Sequence, residues 1–202
     1  MRVVGGKAKG RKLLSVPGEA TRPIADRVKT ALFDILADRV RGARVLDLFA
    51  GTGSVGIEAL SRGAARVVFV DRSPRAVRVV CENLRRTALE EGAQVVRGDA
   101  FRYLSQAGEA FDLIYVAPPQ YRGLWKQALT AIEKSDRLAP DGEVIVQIHP
   151  KEFEPLALKR LQLLDRRRYG STLLCFYAPR GSEGAEVPPW QLIQGHGEAE
   201  QP

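Results

Sequence analysis

Residues 45–56, Val-Leu-Asp-Leu-Phe-Ala-Gly-Thr-Gly-Ser-Val-Gly, constrain this chain more than any other stretch. An apolar strand runs into a glycine turn, and an acid, Asp47, stands just before the turn. Glycines at such a corner let backbone N–H groups approach a ligand and let the following helix begin beside it. Asp47 supplies an anionic acceptor where an ammonium group, directly or through water, can sit. That combination suits a cofactor carrying both an amino acid and a nucleoside, and S-adenosylmethionine is the first candidate.

Gly51, Gly53 and Gly56 also spell G-x-G-x-x-G, the dinucleotide fingerprint, with Asp71 20 residues beyond Gly51. Two features favour S-adenosylmethionine over a nicotinamide. Asp47 and Asp71 at the helix mouth give a pyrophosphate a partly repulsive setting. Ala117-Pro118-Pro119-Gln120, at the end of a later strand, has no obvious task in a dehydrogenase. A glycine turn with no ligand is a weaker reading, because three glycines at one corner cost backbone entropy.

With 202 residues, 45% of them hydrophobic, the chain suffices for one well-buried domain plus an appendage. It has no apolar run of about 18 residues to span a membrane. The N-terminus is basic and glycine-rich without an apolar signal core, which points to the cytoplasm. Cys81 and Cys175 stand apart and read as buried free thiols, and His149 and His196 have no partners at ligand spacing. No metal is expected. The formal charge of +7 favours a polyanionic partner. Arginine supplies 23 of the 31 basic residues, and its guanidinium grips phosphate and stacks on bases. Residues 1–12 carry Arg2, Lys7, Lys9, Arg11 and Lys12 without an acid, so they read as a flexible basic hairpin or arm that contacts RNA.

The remainder alternates. A helix is expected over 23–39, from apolar residues at helical spacing after Pro23. Strands follow at 43–49, 65–71, 94–97, 111–116 and 143–149, with helices at 54–62, 74–89 and 124–138 between them. Near-continuous apolar strands of this kind belong to a parallel sheet covered on both faces. A short helix is expected near 153–158. Strands 161–169 and 172–178 are separated only by Gly170-Ser171, so they must pair antiparallel. The expected architecture is a doubly wound, mostly parallel α/β sheet closed by a C-terminal hairpin. The basic arm is placed at 1–22, the main domain at 23–179 and a flexible tail at 180–202.

Ligands in such sheets bind beyond the carboxyl ends of the strands. This gathers Asp47, Phe49, Ala50, Gly51, Gly53 and Gly56 with Asp71, Arg72, Asp99, Ala100 and the 117–121 segment. Asp71 is placed to accept both ribose hydroxyls, and Asp99 with the Ala100 N–H to meet an adenine edge. Asp71 and Asp99 also precede helical segments, so a helix N-cap is the plainer alternative for each, and three acids at matching corners favour the ligand role.

The basic stretch Arg2–Lys12 (RVVGGKAKGRK), Arg22–Arg27 (RPIADR), Ala31–Leu36 (ALFDIL), the 45–56 stretch and Tyr169–Thr172 (YGST) together resemble the RsmD-type family. These bacterial methyltransferases act on guanine N2 in 16S ribosomal RNA. The resemblance covers roughly residues 1–178. It implies a class I methyltransferase fold, S-adenosylmethionine as donor, the small ribosomal subunit or its precursor as substrate, and a monomer. It also implies that residues 1–18 reach onto RNA and that Thr21, Arg22 and Pro23 lie near the cofactor.

The chain departs from the family pattern where the chemistry sits. The family ends its fourth strand with Asp or Asn, then Pro-Pro, then Tyr or Phe; here Ala117 and Gln120 stand at the outer positions, with Tyr121 one place later. The usual side chain and a backbone carbonyl accept hydrogen bonds from the target amine, and the aromatic stacks on the flipped-out base. Losing one such group costs about 2.7–4 kcal/mol in an active site. The carbonyls of Ala117 and Pro118 survive, Gln120 can offer an amide oxygen, and Tyr121 can offer the stacking face. Two rivals follow: an RNA-binding assembly factor that keeps the cofactor fold without catalysis, and an amine methyltransferase with another RNA or protein target.

Overall fold

The computed structural model describes residues 1–17 and 24–181. Seven strands form one sheet in the order β3-β2-β1-β4-β5-β7-β6. They are β1 (Arg44–Leu48), β2 (Arg66–Asp71), β3 (Ala93–Arg97), β4 (Phe111–Val116), β5 (Leu138–Ile148), β6 (Leu161–Tyr169) and β7 (Thr172–Pro179). The first five run parallel, and β7 is antiparallel to both β5 and β6. The hairpin thus folds inward. The apolar run of β7 is buried in the sheet, whereas β6, with Arg166 and Arg168 exposed, takes the edge. Charged side chains suit an edge strand, where they discourage further pairing.

Alternation along the strands sends successive side chains to opposite faces. Val45, Val67, Phe69, Leu113, Tyr115 and Ile145 join one core with α1 (Asp26–Leu36), α2 (Ser54–Ser61) and α3 (Pro74–Thr87). Leu46, Val68, Val70, Ile114, Val116 and Val144 join the other with α4 (Ala100–Ser105) and α5 (Leu124–Lys134). Cys175 is buried in this second core, and burial pushes its thiol up to about 12, leaving it inert.

Cys81, expected to be buried, is only half-buried, and three segments differ from their expected form. Helix α5 stops at Lys134 rather than 138. Beyond it the buried Arg137 guanidinium donates to the carbonyls of Tyr103 and Glu109 and lies 4.7 Å over the Tyr103 ring, which a continued helix would forbid. No helix forms at 153–158, only a 3-10 turn at Pro150–Glu152. Pro155 cannot donate to a helix, and Phe153 instead stacks on Trp125 with centroids 6.4 Å apart.

The third change concerns the N-terminus. Residues 1–13 do form a hairpin, bridged between Arg2 and Lys12, but it is docked and not free. Val3, Ala8 and Leu13 enter the first core. The Val4 N–H donates to Glu58 at 2.8 Å, and the Lys7 and Ala8 N–H groups donate to the Ser61 carbonyl and hydroxyl. Beneath the hairpin, Lys29 of α1 is fully buried. Its ammonium donates to the Arg2 carbonyl (2.6 Å) and the Ser54 hydroxyl (3.1 Å), and it lies 3.4 Å from the Glu58 carboxylate. Burial, opposed by Glu58, lowers the Lys29 pKa. The expected tail beyond Gly181 lies outside the described residues, as does His196. Among the described residues no helix is long and apolar enough to cross a membrane.

Removing one partner of a buried, hydrogen-bonded ion pair strands the other charge. Lys29→Met should therefore lower unfolding free energy by about 3–5 kcal/mol in urea titrations and remove hydrogen-exchange protection from the Val3 and Val4 amides.

Candidate active site

A cavity of about 670 Å³ opens beyond the carboxyl ends of the parallel strands, at the junction of β1 and β4 where the strand order reverses. Its shape follows from the turn after β1. Phe49, Gly51 and Gly53 all adopt left-handed backbone (φ 67°, 55° and 72°), and for Phe49 this is strained. The Ala50 N–H donates to the Val70 carbonyl and the Gly53 N–H to the Ala50 carbonyl, so the turn lies against β2. The three glycines do different work. Gly51 lines the cavity. Gly53 and Gly56 lie beneath it: a Cβ at Gly56 would come within 2.3 Å of the Phe69 ring, so its absence lets α2 settle onto the sheet.

Three acids stand at three consecutive strand ends. Asp71 accepts from the Gly51 N–H and the Ser73 N–H, both at 2.8 Å, one on each oxygen. It joins the first and second loops while keeping lone pairs free. Asp99 caps α4 through the Phe101 and Arg102 N–H groups, both at 3.0 Å on the same oxygen, so its capping role is real and its second oxygen is left for a ligand. Asp47 is only 2% exposed at the cavity floor and accepts from the Gly56 N–H at 3.0 Å. Burial pushes its carboxyl up to about 7; the Gly56 N–H opposes the rise and the Asp71 carboxylate adds to it.

Asp47, Phe49, Ala50, Gly51, Asp71, Arg72, Asp99, Ala100, Ala117, Pro118, Pro119 and Gln120 all border this single cavity. Tyr121 does not. It stands outside, 64% exposed, with left-handed backbone (φ 58°) and its ring 5.6 Å from that of His149. Glu152 holds it there, accepting from the Tyr121 N–H at 2.7 Å and from the His149 N–H at 3.2 Å. Thr21, Arg22 and Pro23 lie outside the described residues, although Val16 and Ile24, on either side of them, both border the cavity. Arg2, Lys7, Lys9, Arg11 and Lys12 are exposed but none borders the cavity. The hairpin tip is anchored at Ser61, seven residues along α2 from Ser54 at the cavity wall, roughly 11 Å away.

Several wall residues escaped the sequence reading. Ser15 and Val16 arrive because Asn83, buried in α3, binds Leu14 through both amide groups and also donates to the Thr52 carbonyl at 2.9 Å. Phe101 meets Phe49 edge-on at 6.0 Å; its place directly after Asp99-Ala100 was a usable signal. Tyr115 and Gln147 lie on the floor, with the Tyr115 hydroxyl donating to the Gln147 amide oxygen. Among the described residues no cluster of His, Cys, Asp or Glu could hold a metal ion.

An unfolded aspartate titrates near ~3.9, so between about pH 4 and 7 the folded state keeps a proton that the unfolded chain has lost, and stability falls as pH rises. Asp47→Asn abolishes this titration while its amide oxygen still accepts from Gly56. Its unfolding free energy relative to the parent should rise by on the order of 4 kcal/mol between pH 4 and 8, measured by denaturant titration at each pH.

Residues 1–178 match the family model described as "Conserved hypothetical protein 95". The Bacillus subtilis protein named "Putative rRNA methyltransferase YlbH" is 40% identical over 90% of this chain and 100% of its own length. The ribosomal RNA small subunit methyltransferase D of Escherichia coli K12 is 35% identical over 73% of this chain and 74% of its own. Among solved structures, the provisionally named Escherichia coli methyltransferase yhhF superposes with a TM-score of 0.80 at 31% identity, covering 89% of this chain and 97% of that one. A match across the docked hairpin, the cavity and both closing strands leaves one conclusion: the chain belongs to this family, the RsmD-type methyltransferases of class I fold.

Proposed function

We propose that this chain transfers a methyl group from S-adenosylmethionine to the exocyclic N2 amine of a guanine in 16S ribosomal RNA, acting in the cytoplasm as a monomer on the small subunit or its precursor. The observation that carries the reading is one cavity bordered by three strand-end acids on one side and by Ala117-Pro118-Pro119-Gln120 on the other. The acids suit a ligand with an ammonium group and a ribose. Asp47 on the floor would hold the ammonium, Asp71 the ribose hydroxyls, and Asp99 with Ala100 the adenine edge, between the rings of Phe49 and Phe101. When bound, that cofactor supplies an electrophilic methyl group on sulfur.

The chain's own part is to bind and orient. A backbone carbonyl of the Ala117-Pro118 segment accepts one N–H of the amine. The Tyr121 face, steadied by His149 and Glu152, stacks on the extruded base. Arg122, Lys151 and Arg168 flank this platform and have no ion-pair partner among the described residues, so they suit the neighbouring phosphates. Lys151 and Arg168 share a second cavity with His149. The hairpin cations Arg2, Lys7, Lys9, Arg11 and Lys12 extend the basic surface along α2, and Thr21, Arg22 and Pro23 are assigned to the cofactor's surroundings, as the family resemblance implies.

Ala117, which brings no side-chain acceptor, favours a second reading: an assembly factor that keeps the cofactor site without catalysis. Transfer of labelled methyl to small-subunit particles from a strain lacking this protein separates the two. Label confined to N2 of one guanine is expected; cofactor binding without label would select the assembly factor. The RNA surface has its own measurement. Lys151→Gln with Arg168→Gln should weaken particle binding and reduce its log–log salt dependence by about 1–2, with cofactor affinity unchanged.

A further inference from the structure

Ala117 leaves the end of β4 without the side-chain acceptor that an amine-directed methyl transfer uses, and a neighbouring strand carries one. The β4–β5 register ends at Val116 opposite Val146, and continuing it by one residue would bring Ala117, just past the end of β4, next to Gln147, about one strand spacing (roughly 4.8 Å) away. Both side chains belong to the sheet face that carries Tyr115 and Ile145, and both border the cavity. The methyl of Ala117 leaves the space over it open to the longer neighbour. Gln147 is not loose there. The buried Tyr115 hydroxyl donates to its amide oxygen, which fixes which end of the amide faces the cavity floor. Tyr115 is itself registered against Asp47 on β1 and Ile145 on β5, and its hydroxyl reaches two residues along β5 to Gln147, so an acid, a phenol and an amide lie close together on β1, β4 and β5.

We propose, resting on the methyl-transfer reading above, that Gln147 supplies the acceptor missing at Ala117 and is a catalytic residue of this chain. A carbonyl oxygen has two lone pairs. One takes the Tyr115 hydroxyl, and the other takes an N–H of the target amine, which aims the nitrogen lone pair along the transfer axis. The amine nitrogen then bonds to the donor's methyl carbon as the carbon–sulfur bond breaks, its electron pair staying on sulfur. The proton released from nitrogen goes to water; Gln147 orients and does not take it. Gln120 also borders the cavity, but it lies beyond two prolines and its amide has no partner among the described residues.

The test compares Gln147→Ala, Gln147→Glu, Gln120→Ala and Ala117→Asn in the Gln147→Ala background. Methyl transfer to small-subunit particles gives kcat and KM, and calorimetry gives the S-adenosylhomocysteine Kd. Gln147→Ala should lower kcat about a hundredfold, the effect of losing one positioned hydrogen-bonding group. KM and Kd should stay within about threefold. Gln147→Glu should keep most of the rate, and Ala117→Asn should restore at least about tenfold. If Gln147→Ala does not fold, Gln147→Met keeps the volume without an acceptor and carries the comparison. A kcat within about threefold of the parent overturns the proposal. So does a rate loss matched by loss of S-adenosylhomocysteine affinity, or one that appears in Gln120→Ala instead. A parent protein that binds S-adenosylhomocysteine but methylates nothing overturns the functional reading itself and this proposal with it.

Discussion

The buried ammonium of Lys29 is the contact on which the remaining arrangement depends. It ties its own helix α1 to two other elements at once: the hairpin backbone at Arg2, and α2 through the Ser54 hydroxyl and the Glu58 carboxylate one turn further along. Glu58 in turn accepts from the Val4 N–H and pairs with Arg62. A charge so far from water is tolerated only when every donor is occupied. The ammonium therefore couples the docking of the hairpin to the packing of α1 on α2. Because Ser54 stands in the cavity wall, an interaction remote from the chemistry sets where that wall lies.

A second set of bonds ties the glycine turn to its surroundings. Asp71 binds the Gly51 N–H, Asp47 binds the Gly56 N–H, and Asn83 binds the Thr52 carbonyl while holding Leu14. The acids that suit a cofactor are thus the same groups that hold the turn in its strained, left-handed shape. Strain of this kind persists only where the surroundings over-determine it. The cavity is consequently preformed, and its polar groups meet a ligand with little further ordering.

The amine-facing end follows a different logic. There the backbone carbonyls after β4 are held stiffly by Pro118 and Pro119, and side chains of neighbouring strands and turns surround them. Tyr121 stands outward against His149, and Gln147 borders the cavity along with Ala117. The site is not stripped of polarity where Ala117 lacks an acceptor, because Tyr115, Gln120 and Gln147 also border the cavity.

What the sequence determined by itself was local or periodic. Apolar runs and glycine corners give the five parallel strands, Gly170-Ser171 gives the hairpin, and the acids at strand ends give one wall of the cavity, because strand order and backbone direction bring those ends together. Only the tertiary structure decided the rest. A basic, glycine-rich N-terminus reads as a free arm until Lys29, Glu58 and Ser61 offer its backbone partners 27 to 54 residues away. Ser15, Tyr115 and Gln147 carry no motif and reach the cavity through pairings between distant segments. Gly56 sits in a ligand motif, yet the ring of Phe69 explains it. Periodicity reports which face of an element is buried; it carries no information about which partner will lie across that face, and the partner sets the chemistry.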